Sequence, residues 1–233
     1  MPGPLVARWE SWQLPAACAG APAIAHARVV NAGAAAWGVD VLASYHWLDG
    51  LGNPIVWDGV RTALPGPVAS GAAVDLDVRV RAPMPPGRYR FALDLVAEGR
   101  AWFAELGSDS PSWEVDVRPR VQAAELAAVA DVHLPNGCEP APGWEDDVLA
   151  AHAEGYAVVA GAIEAPRRLR RALAAWAPGP GRVPSFPSPL LCPSILRGVE
   201  VERLPDVEGL PAFAPPRDEP WVYDGRLVIR WRR

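Results

Sequence analysis

The sequence predicts a mainly β N-terminal domain, an immunoglobulin-like antiparallel β-sandwich, followed by a smaller, irregular α/β C-terminal domain. Three observations carry this. Residues 74–81 alternate apolar and charged side chains without error, and similar alternation recurs as far as residue 117. Turn-forming Gly, Pro, Asn and Asp separate the alternating runs at short intervals. At Arg118-Pro119-Arg120 the pattern gives way to helical spacing and then to a proline-rich stretch.

The elements follow in order. Residues 1–24 read as an N-terminal extension. Residues 25–30 form an edge strand that stops at Asn31-Ala32-Gly33. Residues 41–48 form a second strand, Asp49-Gly50-Leu51-Gly52-Asn53 a loop, and Ile55-Val56-Trp57 a third strand. In 74–81, Val74, Leu76, Val78 and Val80 make a buried face opposite Asp75, Asp77, Arg79 and Arg81. Pro83-Met84-Pro85-Pro86-Gly87 ends that strand, because proline lacks the ladder N–H and glycine permits the turn. Tyr89, Phe91, Leu93 and Leu95 mark the return strand. Ala101-Trp102-Phe103 starts another, and Trp113, Val115 and Val117 mark the last. About seven short strands in roughly 95 residues is the pattern of an immunoglobulin-like sandwich, spanning 25–118.

Beyond it, 119–233 reads as the α/β domain. Residues 121–130 are Ala-rich with helix period. A second helix spans 145–154, with Glu145, Asp146 and Asp147 in its first turn, where acids favour the positive end of the helix dipole. Residues 156–163 form a buried strand. Pro166 opens a third helix over 167–176. From 177 to 220 the chain is proline-rich but too apolar to stay solvated, so an ordered, irregular segment is expected. Residues 221–229 read as a C-terminal hairpin turning at Asp224-Gly225.

Composition narrows the function classes. Two domains of about 100–120 residues fit the 233-residue length. Formal net charge is −5, and all 22 basic residues are arginine, interspersed with acids in both halves, so no nucleic-acid footprint is present. The heavy use of Ala, Gly, Pro and Arg points to a GC-rich bacterial genome. Cys18, Cys138 and Cys192 are widely spaced and read as reduced thiols. The four histidines show no metal-ligand spacing, so neither metal nor cofactor is expected. No apolar run reaches the roughly 20 residues of a membrane span, and the N-terminus lacks signal-peptide character. The expected location is the cytoplasm.

The order of motifs in the first half carries a resemblance. Asn31-x-Gly33-x-x-x-Trp37, Tyr45-His46-Trp47-Leu48-Asp49, Trp57-Asp58-Gly59-x-Arg61-Thr62, Ala82-Pro83, Pro86-Gly87-x-Tyr89 and Trp102-Phe103 follow one another. This resembles the tryptophan-rich Ig-like domain of selective-autophagy receptors and its bacterial relatives. Those relatives often sit beside enzymes of surface-polysaccharide synthesis. In the second half, Glu139-Pro140-Ala141-Pro142-Gly143-Trp144, His152 and Gly155 to Glu164 resemble one stretch of family 2 glycosyltransferases. The acidic metal-binding motif of that family should precede Pro140. Leu134-Pro135-Asn136-Gly137-Cys138-Glu139 stands there instead, and one carboxylate cannot hold the ion.

The resemblance and the residues together imply a non-catalytic accessory protein that binds an oligosaccharide or a polysaccharide-synthesis protein. Trp37, Tyr45, Trp47, Trp57 and Trp102 are candidate stacking surfaces, with Asp58 and Arg61 as hydrogen-bonding groups. The competing account makes the aromatics core fillers and pairs Asp58 with Arg61. The alternative reading is a diverged glycosyltransferase or glycan-acting enzyme using Glu139, His152 or Glu164. Asp146 and Asp147 are further acids near it, and a solvated helix start explains them. Ser185, Ser188 or Ser194 with His133 or His152 could form a nucleophile pair, but no G-x-S-x-G elbow supports one. Cys192 sits among apolar neighbours and reads as a buried, inert thiol.

Overall fold

Period-two alternation puts one face of each strand on a core, and that rule builds most of this chain. A computed structural model describes residues 5–164, 182–183 and 189–231. Among the described residues 49% are strand and one α-helix forms, with the strands arranged as several largely antiparallel sheets. It divides into two compact units, Met1–Arg118 and Pro119–Arg233.

The first unit holds β1 (Ala7–Gln13), β2 (Pro22–Asn31), β3 (Val41–Leu48), β4 (Pro54–Val56), β5 (Thr62–Ala63), β6 (Ala73–Arg81), β7 (Gly87–Ala97), β8 (Ala101–Trp102) and β9 (Ser112–Val117). One sheet runs β1-β2-β6. The other runs β4-β3-β7-β8, with β5 also on β3 and β9 also on β7. Both sheets contribute to one core: Ala25, Ala27, Val29, Leu76 and Val78 from the first, Tyr45, Trp47, Phe91, Leu93 and Leu95 from the second. Phe91 anchors the aromatic part, with ring centroids 4.6 Å from Trp47, 5.1 Å from Trp113 and 5.6 Å from Tyr45. Such pairs contribute about 0.5–1.5 kcal/mol each beyond the area they bury.

Two expectations need correction here. The N-terminal segment is not merely an extension: β1 pairs along its length with β2, and Trp9 packs against the core. The strand expected at 25–30 is therefore not an edge. It begins at Pro22 and lies between β1 and β6. A second difference concerns β7. Alternation predicts one wet face, yet Ala92, Asp94 and Val96 are buried along with Leu93 and Leu95. Something covers the outer face of this sheet.

The second unit holds β10 (Ala130–Val132), β11 (Cys138–Pro140), α1 (Trp144–Glu154), β12 (Val158–Glu164), β13 (Arg182–Val183), β14 (Leu190–Leu191), β15 (Ser194–Leu196), β16 (Arg203–Val207), β17 (Leu210–Phe213) and β18 (Trp221–Trp231). Its larger sheet runs β10-β15-β12-β18-β11, with β13 on β18, and a small sheet runs β14-β17-β16. Among the described strands, only β12 and β18 pair in parallel. The predicted helix α1 and strand β12 are present. The helix expected at 121–130 is not: only Leu126–Ala128 makes a 3₁₀ turn, and Leu126 alone of that turn is buried. A short Ala-rich run without a buried stripe lacks the packing that sustains a helix.

The expected C-terminal hairpin is also absent. β18 is one strand held on both sides, by β12 and by β11. Its ladder with β12 jumps from Gly161↔Asp224 to Ala162↔Val228, so residues 225–227 bulge out. Asp224 anchors the bulge by accepting from the Arg226 backbone N–H at 3.0 Å and from its guanidinium at 2.9 and 2.6 Å. Gly161 is required opposite: a Cβ there would lie 2.2 Å from the Leu227 carbonyl oxygen. Within the expected irregular segment, the described residues form β13 to β17 instead. The expected helix over 167–176, Ser185 and Ser188 lie outside the described residues.

Candidate functional site

The cover over the outer face of β3 and β7 is the segment that follows β4, together with Trp102 at the end of β8. Side chains along β3 alternate, so Tyr45 and Trp47 enter the core while Ser44 and His46 face outward. Register sets Ser44 opposite Asp94 and His46 opposite Ala92. Trp57 lies over His46 with ring centroids 4.2 Å apart and planes at 22°. His46 Nδ1–H also donates to the Trp57 carbonyl. Trp102 meets His46 edge-on at 4.4 Å, and the Arg61 guanidinium lies 4.7 Å above the Trp102 ring. Beneath them, Asp94 is 1% exposed and turns Oδ2 toward His46 Nε2 at 3.7 Å.

Trp57, Asp58 and Arg61 reach the surface. One face of the Trp57 indole is taken by His46, yet the residue is 49% exposed. Asp58 is exposed and accepts from Arg61 at 2.5 Å. Arg61 is spent on the protein itself: Nε–H donates to Glu98 at 2.5 Å, and Nη1 donates to the Ser44 hydroxyl at 3.2 Å and the Gly59 carbonyl at 2.9 Å. Its guanidinium is held more firmly protonated by Glu98 and Asp58, against the opposing effect of burial. It works as a strut that ties Asp58 and the Gly59 backbone to Glu98, Ser44 and the Trp102 ring.

The seven sequence-derived candidates therefore split. Trp57, Asp58, Arg61 and Trp102 gather in one cluster. Trp37, Tyr45 and Trp47 are fully buried in the core and offer no surface to a ligand. Tyr45 Oη accepts the Arg81 backbone N–H at 2.9 Å, and Trp47 Nε1–H donates to the Arg81 carbonyl at 3.0 Å. Trp37 packs edge-on to Phe103 at 5.5 Å. The Asn31-x-Gly33 motif is structural too: Asn31 donates to the Ala35 and Val68 carbonyls at 2.9 Å and accepts the Gly33 N–H at 3.0 Å. Sequence reasoning missed His46, Ser44 and Asp94 as members of the cluster. Each occupies the outward parity of its strand, where a polar residue reads as solvated.

The second unit separates His152 from the two glutamates. Glu139 and Glu164 lie on the strands flanking β18, both in register with Arg230, and Glu164 pairs with it at 3.3 Å. His152 is on α1 with no exposure. Its Nδ1–H donates to the Tyr156 carbonyl at 2.7 Å, which leaves Nε2 to accept from the Ser194 hydroxyl at 2.9 Å. Of the serine–histidine pairs that could be drawn from the sequence, Ser194 and His152 do touch, but both are sealed from solvent. Burial pushes the His152 pKa down to about 4, with the Arg120 charge adding to it against the Tyr156 hydrogen bond. His133 tilts against Phe213 at 4.9 Å. Burial drives the Cys192 thiol up to about 12, as expected of an inert thiol.

A shallow concavity of about 440 Å³ crosses the outer face of β1, β2 and β6 beside Gln13, His26, Asp75 and Asp77. Its carboxylates are answered by neighbours: His26 with Asp77 at 2.7 Å and Arg28 with Asp75 at 2.8 Å. Among the described residues no three His, Cys, Asp or Glu side chains gather as metal ligands, and no helix is long and apolar enough to cross a membrane.

No family model matches the chain. No curated protein matches it either. Among solved structures, the C-terminal domain of wzt aligns at 10% identity over 52% of this chain and 77% of that one, with a TM-score of 0.33. The putative ApaA protein from Bordetella pertussis aligns at 16% identity over 52% of this chain and all of that one, with a TM-score of 0.26. A putative beta-galactosidase from Bacteroides fragilis aligns at 12% identity over 70% of this chain and 20% of that one, with a TM-score of 0.27. Likenesses this loose bear on neither fold nor function.

Proposed function

We propose that the chain is a non-catalytic binding protein whose first unit takes a saccharide ring on Trp57, in the service of bacterial surface-polysaccharide synthesis in the cytoplasm. One observation carries the binding part: a half-exposed indole, backed by His46 at 4.2 Å and flanked by the exposed carboxylate of Asp58. A fixed aromatic face suits the apolar face of a pyranose, and a carboxylate accepts hydrogen bonds from its hydroxyls. The unit's fold, on this reading, is the tryptophan-rich Ig-like sandwich. Two sheets around one core support it, as does Tyr89 Oη–H donating to the Pro85 carbonyl at 2.7 Å, a bond of the kind that pins corners in such sandwiches. The second unit is then a remnant of a family 2 glycosyltransferase turned to scaffolding.

Calorimetric titration of the full chain with neutral oligosaccharides tests the binding. Saturable heat that disappears in Trp57→Ala is the expected result. Equal heat in wild type and variant sinks the site. A protein partner is the second reading, and it rests on a separate observation. Leu51, Ile55 and Val60, close to Trp57 in the chain, are 90%, 47% and 42% exposed. Exposed apolar side chains around a Trp and an Arg are what protein interfaces recruit as anchors.

A further inference from the structure

A polar side chain on an outward-facing strand position normally meets water. Ser44, His46 and Asp94 do not: they are buried on the outer face of β3 and β7. Burying a carboxylate is costly unless fixed donors answer it. Asp94 accepts the Leu95 N–H at 2.7 Å and the Ala104 N–H at 3.3 Å, and Oδ2 is turned toward His46 Nε2 at 3.7 Å. His46 spends its other nitrogen on the Trp57 carbonyl and its ring face on the Trp57 indole. Trp102 closes the edge of the imidazole. Trp57 belongs to no strand. The nearest ladder, β4, has ended at Val56, and Gly59 N–H reaches the Tyr45 carbonyl only at 3.2 Å. The orientation of this exposed indole is therefore set from beneath, through a chain running from Asp94 to His46 to Trp57.

We propose that Asp94 and His46 are positioning residues that hold the Trp57 indole in a single orientation as a preformed platform. What the platform receives rests on the saccharide reading, while the positioning stands or falls without any ligand. Preformed geometry raises affinity because the ordering cost of the side chain is met before binding. A merely space-filling role predicts something else: weakening the pair would lower stability and leave Trp57 where it is.

The experiment is ¹⁹F NMR of the full chain carrying 5-fluorotryptophan at its 11 tryptophans, with the Trp57 resonance assigned through Trp57→Phe. Two variants are compared. Asp94→Asn keeps the shape and removes the charge. His46→Phe keeps a ring against the indole and removes both the Nδ1–H that donates to the Trp57 carbonyl and the nitrogen that faces Asp94. The expected result is a shifted, narrowed Trp57 line in both variants, with the Trp37 and Trp47 lines unchanged and greater quenching of Trp57 by acrylamide. A Trp57 line unmoved in His46→Phe overturns the proposal, even if Asp94→Asn does not fold. In parallel, neutral hexasaccharides of glucose, mannose and N-acetylglucosamine are titrated. Any hexasaccharide bound by wild type is expected to bind the folded variants about tenfold more weakly, and unchanged affinity overturns the proposal. If wild type binds none of them, the saccharide reading falls, and the ¹⁹F result alone decides the positioning.

Discussion

His46 and His152 are both buried histidines with a polar contact at each ring nitrogen, yet their surroundings give them different work. His152 lies in the interior of the second unit between two neutral groups, the Tyr156 carbonyl and the Ser194 hydroxyl. It joins α1 to β15. His46 lies one layer below the surface of the first unit, between a buried carboxylate and an indole that is half exposed. The lesson is that burial alone does not separate structure from function. A histidine satisfied on both sides by neutral groups of the interior is a strut. One that links a buried charge to an exposed aromatic passes its position on to the surface.

Removing the strut is expected to have the largest effect. His152→Leu leaves the Ser194 hydroxyl buried without its imidazole partner and takes one donor from the carbonyl of the partly exposed Tyr156. The expected loss is about 3 kcal/mol of unfolding free energy, read by urea denaturation, since each orphaned buried group costs about 1–3 kcal/mol. A loss below about 1 kcal/mol would show that the interior around α1 relaxes or admits water.

Acid comes next. The folded-state pKa of His152 lies near 4, below its ordinary value of 6.5. The unfolded chain therefore takes up the proton that the folded chain refuses. This contribution to stability is complete above about pH 6.5 and drains away as the pH falls through 4, by up to about 3 kcal/mol. Thermal melts between pH 7 and 4 read it. His152→Gln keeps a donor and an acceptor but cannot titrate, and is expected to flatten the pH dependence.

At the surface, Trp57→Ala inverts the balance. Stability is expected to change by less than about 1 kcal/mol, as for a surface substitution outside the core, while saccharide affinity falls more than about tenfold. A large loss of stability with affinity intact would make Trp57 a cover for the sheet rather than a platform. The smallest effect belongs to Asp58→Asn. It removes one exposed partner of Arg61, and exposed pairs contribute about 0–1 kcal/mol. A drop in affinity of a few fold with no change in melting temperature would assign Asp58 to the ligand.

The sequence made the strands and the aromatic inventory legible. Residues 74–81 alternate cleanly, and β6 forms there. The acids at the start of α1 mark a helix that exists. The aromatics were visible as a set, but Trp47 and Trp57 look alike on the page. One is fully buried and the other half exposed, because Trp47 faces inward on β3 while Trp57 lies past the end of β4 on the outer face. The Asp224-Gly225 pair read as a hairpin turn, and it became a bulge because β12 and β11 hold the strand on either side of it.

Local chemistry decides which face of a strand is apolar, where glycine or proline interrupts it, and what charge the chain carries. These properties belong to neighbouring residues, so the sequence alone determined that this protein is strand-rich and that its character changes near residue 118. Whether the outward face of a strand meets water depends on which distant segment lies across it. Only the tertiary structure decided that the residues after β4 and Trp102 cover β3 and β7, converting Ser44, His46 and Asp94 from apparent surface residues into a buried support. His46 and Asp94 are 48 positions apart and lie diagonally across the ladder, each two residues from the other's partner, a proximity that no local pattern encodes.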